Sequence, residues 1–232
     1  MLLAVLLIAA AQPADFQLSE DDGALAFSYG WPAVVTDDPM LEREMRSRLD
    51  AAQAQAESYL ADDRGSRPAD APVNPHHYAA QWRVDGGTAA LLSLSATIET
   101  YTGGAHGNLH YTALLWDRAA HAPVEAAGLL GAGLARIAPR YCAALDAERT
   151  EKRGGPTDPD DMFGNCPQID AQVLTPADKD GDGRFDTLAI LLPPYAAGPY
   201  VEGDYVIEIG FEAADLIAIP APYRAGFESA GD

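Results

Sequence analysis

The fold is decided by the stretch YAAQWRVDGGTAALLSLSATIETYTGGAHGNLHYTALLW, from Tyr78 to Trp116. It holds three apolar or alternating runs separated by glycine-bearing reversals, the pattern of consecutive antiparallel strands. Tyr78 to Val84 is read as the first strand and Asp85-Gly86-Gly87 as its hairpin turn. In the next run Leu92, Leu94, Ala96 and Ile98 alternate with Ser93, Ser95, Thr97 and Glu99. A period of two predicts one face on a core and the other in water. After Gly103-Gly104-Ala105-His106-Gly107 a third strand runs from Leu109 to Trp116, with Leu109, Tyr111, Ala113 and Leu115 on one side.

Working outward from this meander, Ala24 to Tyr29 reads as a strand ended by Trp31-Pro32. Asp38 is placed as an N-cap and Pro39 at the first helical position, because a carboxylate accepts orphan backbone N–H groups and proline's fixed φ suits the first turn. Met40, Leu41, Met45, Leu49, Ala52, Ala56, Tyr59 and Leu60 then recur at helical steps, and Asp62 to Pro75 reads as a loop. Downstream, a second helix is expected from Leu129 to Thr150, kinked or divided at Pro139. Thr187 to Leu192 and Tyr205 to Phe211 read as strands, Ala213 to Ile217 as a short helix, and the chain from Ala230 as frayed. The predicted class is α+β: a mostly antiparallel sheet with two main helices packed on it, as one body or two lobes.

Lys and Arg total 15 against 35 Asp and Glu, a formal charge of -20. Phosphate backbones and anionic lipid surfaces repel such a chain, so nucleic-acid binding is excluded; cationic partners or simple solubility account for the charge. Leu2 to Ala11 is an apolar run followed by the small and polar Gln12-Pro13-Ala14-Asp15, the form of a secretory leader over residues 1–14 with cleavage near Ala11 or Ala14. A hydrophobic strand is the alternative. As a helix this run would extend only about 15 Å, too short for a bilayer. No later stretch approaches a membrane span, so the expected location is periplasmic or secreted. In that compartment Cys142 and Cys166, the only cysteines, are read as one disulfide, with two buried thiols as the alternative.

Chemistry is sparse. Asp178-Lys179-Asp180-Gly181-Asp182-Gly183-Arg184-Phe185-Asp186 places carboxylates at loop positions 1, 3, 5 and 9 and glycine at position 6. That spacing aims oxygens at one hard cation, with the Arg184 carbonyl at position 7, and predicts a structural Ca2+ bound by Asp178, Asp180, Asp182, Arg184 and Asp186. Ala189 stands at position 12, where an EF-hand has a bidentate Glu, so the loop is closer to the calcium loops between strands of β-propeller blades. A solvated Asp/Gly turn is the alternative. The glycines of the second reversal leave His106 near a hairpin tip. His106 and His110 with Glu99 offer metal or acid–base groups, although their spacing fits no closed zinc signature. His76, His77 and His121 read as surface residues. Pro194-Tyr195 and Pro199-Tyr200 put two rings on a rigid turn, either a contact surface or a packed corner. No nucleophile elbow, zincin motif, phosphate loop or dinucleotide fingerprint is present.

Tyr101-Thr102-Gly103-Gly104-Ala105-His106-Gly107-Asn108, the strand to Trp116-Asp117, and Pro194-Tyr195-Ala196-Ala197-Gly198-Pro199-Tyr200-Val201-Glu202-Gly203 together resemble one family. It is the extracellular domain of unknown function shared by the anti-sigma factor RsiV and the non-catalytic part of the peptidoglycan deacetylase PdaC. The resemblance implies a PdaC-type half over residues 15–117 and an RsiV-type sensor half over 118–232. It also implies a non-enzymatic cell-envelope binding module, whose partner would be a basic protein such as lysozyme or a peptidoglycan fragment. Gly103, Gly104, His106, Tyr195 and Tyr200 would be its contact residues. The alternatives are a small cell-envelope hydrolase using His106 with Glu99, and a calcium-stabilised structural protein.

Overall fold

The computed structural model describes residues 15–68, 71–72 and 74–231. The proposed leader, residues 1–14, lies outside them. Strand β1 (Phe16–Asp21) and β2 (Leu25–Trp31) form a hairpin around Gly23. The Asp22 carboxylate accepts from the Ala24 and Leu25 backbone N–H groups and closes the turn. β1 is a largely exposed edge strand, FQLSED, with too few apolar residues for alternation to reveal it.

Helix α1 (Pro39–Ser66) begins as expected, with the Asp38 carboxylate accepting from Met40 and Leu41 N–H. It buries Leu41, Met45, Leu49, Ala52, Ala56 and Leu60, then continues through residues expected to be loop. Asp62 to Ser66 contains no proline, and the Arg67–Asp63 ion pair supports the last turn. α1 carries the chain to β3 (His76–Gly87), which pairs parallel to β2. This is the one parallel pairing among the described strands, and a long helical crossover is what parallel neighbours require.

β4 (Leu91–Tyr101), β5 (Asn108–Asp117) and β6 (Ala122–Val124) complete a six-stranded sheet in chain order. The expected turn at Asp85-Gly86-Gly87 is instead the end of β3, where the pairing shifts at a bulge between Val84 and Gly86. A Cβ at Gly86 would lie 2.8 Å from the Asp178 backbone nitrogen, so this glycine permits close approach of a second layer rather than a reversal. The reversal lies at Thr88, whose hydroxyl accepts from Ala90 and Leu91 N–H.

Helices α2 (Ala126–Leu130) and α3 (Ala132–Arg153) follow. The break falls at Gly131, φ 50°, and not at Pro139, which sits within continuous α3. Pro139 and Ala135, whose carbonyl it leaves without an N–H donor, both face solvent, where water replaces the missing bond. β7 (Val173–Ala177), β8 (Thr187–Leu192) and β9 (Tyr205–Gly210) form a second, three-stranded antiparallel sheet. A 3-10 turn at Leu216–Ala218 stands where a short helix was expected, and helix α4 (Ala221–Arg224) follows it. Ala230, expected to be frayed, donates its N–H to the Phe211 carbonyl.

Two cores result. α1 covers one face of the large sheet through Leu92, Leu94, Ala96, Leu114 and Trp116. The second sheet and α3 enclose the other through Ile137, Tyr141, Leu188, Ile190 and Ile207, joined by Leu91 and Leu115 of the large sheet. The face of β4 expected to be wet is therefore covered at this end. Ser93 and Ser95 are fully buried, and Ser93 Oγ lies 2.9 Å from Thr175 Oγ1 on β7. The class is α+β, as expected.

Candidate binding surface

The reversal between β4 and β5 turns at Gly103, φ 84°, a left-handed conformation that glycine adopts without strain. Asn74 Nδ2 donates to the Gly103 carbonyl at 3.3 Å and ties the hairpin to the segment after α1. His106 at the tip donates through Nδ1 to the Gly107 carbonyl at 2.8 Å. On the far side of the sequence, Pro193 to Gly203 bends twice. Tyr195 takes φ 71° and its N–H donates to the Gly198 carbonyl, and a 3-10 turn spans Tyr200–Glu202.

These two segments meet. The Tyr200 ring stacks on the His106 ring at 3.8 Å between centroids, and its hydroxyl donates to the Gly107 carbonyl at 2.8 Å. Tyr195 tilts against Tyr200 at 5.7 Å. The expected contact residues Gly103, Gly104, His106, Tyr195 and Tyr200 thus belong to one ridge, with Tyr195 53% and Val201 89% exposed. Aromatic side chains offer large contact area for few rotatable bonds, and stacking here restrains them before any partner arrives.

Helix α3 positions the ridge. Arg149 is fully buried and donates to the Ala197 carbonyl (2.8 Å), the Asn165 carbonyl (3.1 Å) and Asp146 (3.3 Å). Arg153 grips Glu202 through two bonds of 2.9 and 3.1 Å. Glu202 also accepts from the Tyr205 hydroxyl, and burial together with that carboxylate pushes the Tyr205 phenol up to about 12. Burial works against the charged form of Glu202, but the Arg153 and Tyr205 bonds outweigh it and hold the carboxyl below its usual range. Cys142 of α3 is bridged to Cys166, next to Asn165, with Cα atoms 5.6 Å apart. The expected disulfide therefore anchors the same corner.

The expected His106–Glu99 pair is not assembled. Glu99 is exposed on β4 between Ala79 and Leu109, and among the described residues no hydrogen bond or ion pair joins it to His106. His76, read as a surface residue, is buried with Nε2 3.5 Å from Asp63, because α1 extends far enough to cover it. His121 is half exposed and meets the N-cap carboxylate of Asp38 at 3.0 Å. The acidic loop joins β7 to β8, and carboxylate oxygens of Asp178, Asp180 and Asp182 lie within 4.8 Å of one another. Asp186 is buried and accepts from Lys179 N–H, while the Arg184 guanidinium turns to Asp182 and Glu228. Arg149 and Glu228 carry no local sequence signal for these roles, since their partners are remote in the chain.

Thr102 and Asn108, the stems of the His106 hairpin, also line a cleft of about 680 Å³ between α1 and the sheet. Tyr59, Tyr78, Ile98 and His110 form much of its wall. Among the described residues no helix is long and apolar enough to cross a membrane.

A family model described as deacetylase PdaC matches residues 18–109, from β1 into β5. No curated protein is similar enough in sequence to count as a relative. The crystal structure of a DUF3298 family protein from Pseudomonas aeruginosa aligns over 91% of this chain and 96% of its own, with TM-score 0.53 and 15% identity. A DUF3298 family member from Bacteroides fragilis aligns over 91% and 95%, with TM-score 0.49 and 15% identity. At such identity the likeness to the Pseudomonas protein is one of fold. Residues 18–109 are accordingly PdaC-like in sequence, and the described chain is DUF3298-like in fold.

Proposed function

We propose that this chain is a non-enzymatic binding module of the cell envelope, periplasmic or secreted, which takes a basic protein such as lysozyme on the His106–Tyr200–Tyr195 ridge. The observation that carries this reading is the meeting of two remote segments in a preformed, exposed aromatic surface. The formal charge of -20 supports a cationic partner, because complementary fields raise encounter rates and disfavour anionic competitors. His106 has a carbonyl and an aromatic ring for neighbours, an arrangement suited to contact rather than to proton transfer. The cleft beside the ridge favours a second occupant, a peptidoglycan fragment, since aromatic walls and hydroxyl and amide groups suit sugar rings.

Titration of the chain with c-type lysozyme at low and physiological salt tests the reading, with an equally basic unrelated protein as control. Saturable binding that survives salt, is absent from the control and weakens about tenfold or more in Tyr200→Ala supports the ridge, tenfold being about 1.4 kcal/mol. Equal, salt-sensitive binding of both proteins reduces the attraction to net charge and refutes it. Peptidoglycan fragments that bind without lysozyme doing so, and lose affinity in Tyr59→Ala, assign the cleft instead.

A further inference from the structure

The backbone of β5 is paired along its whole length on one side and along only part of it on the other. β4 runs beside it from Asn108 to Asp117, whereas β6 reaches only Leu115, Trp116 and Asp117 before the chain leaves for α2 after Val124. Among the described residues no strand lies beside Asn108 to Leu114 on that outer side. The alternation of an antiparallel ladder shows which groups are open. Arg118 N–H donates to the Ala90 carbonyl, just before β4, and Trp116 faces Pro123, which has no N–H to give. The even-numbered residues of β5 therefore bond toward β4. The N–H and C=O groups of Leu109, Tyr111 and Ala113 point outward, where no strand meets them.

Open edges are normally blunted by charge or proline. The opposite edge of the sheet, β1, carries Glu20 and Asp21. Asn108-Leu109-His110-Tyr111-Thr112-Ala113-Leu114 holds no Lys, Arg, Asp, Glu or Pro. This edge also opens into a groove of about 290 Å³, to which α1 contributes Arg48, the segment entering β7 Asp170 and Gln172, and the β6–α2 junction Glu125. The aromatic ridge stands at the other end of the edge, since Gly107, which accepts the Tyr200 hydroxyl, precedes β5 directly. Charge selects the occupant. Arg48 is already paired with Glu44 at 2.8 Å, which leaves Glu125 and Asp170 to meet whatever enters. A second copy of the chain would bring a further -20 of charge to the same edge, whereas a basic segment is drawn to it.

We propose that an extended basic segment of a protein partner adds to β5 as a further strand, in line with β6. It bonds to the Leu109, Tyr111 and Ala113 backbone and directs Lys or Arg at Glu125 and Asp170. In such additions main-chain bonds supply affinity and the flanking side chains supply selectivity. The proposal rests on the cationic-partner reading above for the charge of the segment, but not on the ridge as its seat.

The test titrates the full chain, by calorimetry, with a capped peptide of alternating Lys and Val, about seven residues and so roughly 23 Å long. The controls are the same peptide N-methylated throughout its backbone and an acidic counterpart with Glu for Lys. Saturable binding is expected of the first alone. By NMR, amide exchange of Leu109, Tyr111 and Ala113 should slow on binding, while that of Thr112, bonded toward β4, changes little. Ala113→Pro removes an outward N–H and no bond of the β4 ladder, a place where an edge strand accepts proline, so it should fold and bind about tenfold or more weakly. Glu125→Gln with Asp170→Asn, both exposed, should weaken binding about threefold. Absence of binding, equal binding of the N-methylated peptide, binding without protection of the three amides, or unchanged affinity in a folded Ala113→Pro overturns strand addition. A dimer in sedimentation that Ala113→Pro disperses assigns the edge to a second copy and overturns it equally. Tyr200→Ala should leave peptide affinity unchanged while lowering that for lysozyme, so failure of the ridge and failure of the edge are read separately.

Discussion

Replacing Arg149 by Met tests how the aromatic ridge is held in place. The methionine fills similar volume but removes a guanidinium that reaches the Ala197 carbonyl at 2.8 Å and the Asn165 carbonyl at 3.1 Å. Ala197 is 1% exposed, so its carbonyl loses its charged donor where water has little access. That leaves a penalty of about 1–3 kcal/mol, and the lost bond to Asn165 adds about 1 kcal/mol. The Asp146 carboxylate, with its side chain 57% exposed, returns to solvent at little cost. Relief from burying a charge offsets part of the loss. The net expectation is about 2–3 kcal/mol of destabilisation, or roughly 5–10 °C in melting temperature for a chain of this size. Arg149→Lys keeps the charge but has no planar fork to span two carbonyls, so it should fall between parent and Met. Thermal and urea unfolding by circular dichroism, with lysozyme titration under native conditions, provide the readouts. If Arg149→Met lies within about 0.5 kcal/mol of the parent, the scale of ordinary surface substitutions, the pin is refuted.

Two further outcomes follow from the same geometry. Burial raises the Asp38 carboxyl, but the Trp116 indole, His121, and the Met40 and Leu41 N–H groups outweigh it, and the folded value falls from 3.8 to about 2. Its stabilisation is therefore complete above the unfolded value and fades as pH falls toward 2. Asp38→Ala should cost about 1–2 kcal/mol at pH 7 and progressively less in acid. An equal cost at pH 7 and pH 2 in urea unfolding would show that the charge contributes nothing. Converting Cys142 and Cys166 together to Ser opens a loop with sequence separation 24. The chain-entropy account predicts a loss of about 3 kcal/mol, read as a lower urea midpoint. An unchanged midpoint would mean that Arg149 and its neighbours already confine the loop.

Features whose cause is local are legible in the sequence. Asp38 and Pro39 start α1 because a cap and its helix are adjacent in the chain, and the apolar spacing from Leu41 to Leu60 specifies which helical face is buried. The meander from β3 to β5 follows from alternation and short reversals, and the cysteine pairing from there being two in the chain. Short strands escaped because little pattern marks them: β1 is a polar edge, β6 has three residues, and β7 carries Pro176 at the edge of its sheet. Tertiary structure decided the rest. Ser93 and Ser95 look solvent-facing by period, yet a second sheet lies over them, and no sequence period records what packs on a strand's far side. His106 on Tyr200, Arg149 under Ala197 and Arg184 against Glu228 join residues far apart in the chain. Propensity and periodicity act over a few residues, whereas these juxtapositions arise only when two sheets stack and α3 closes over the second.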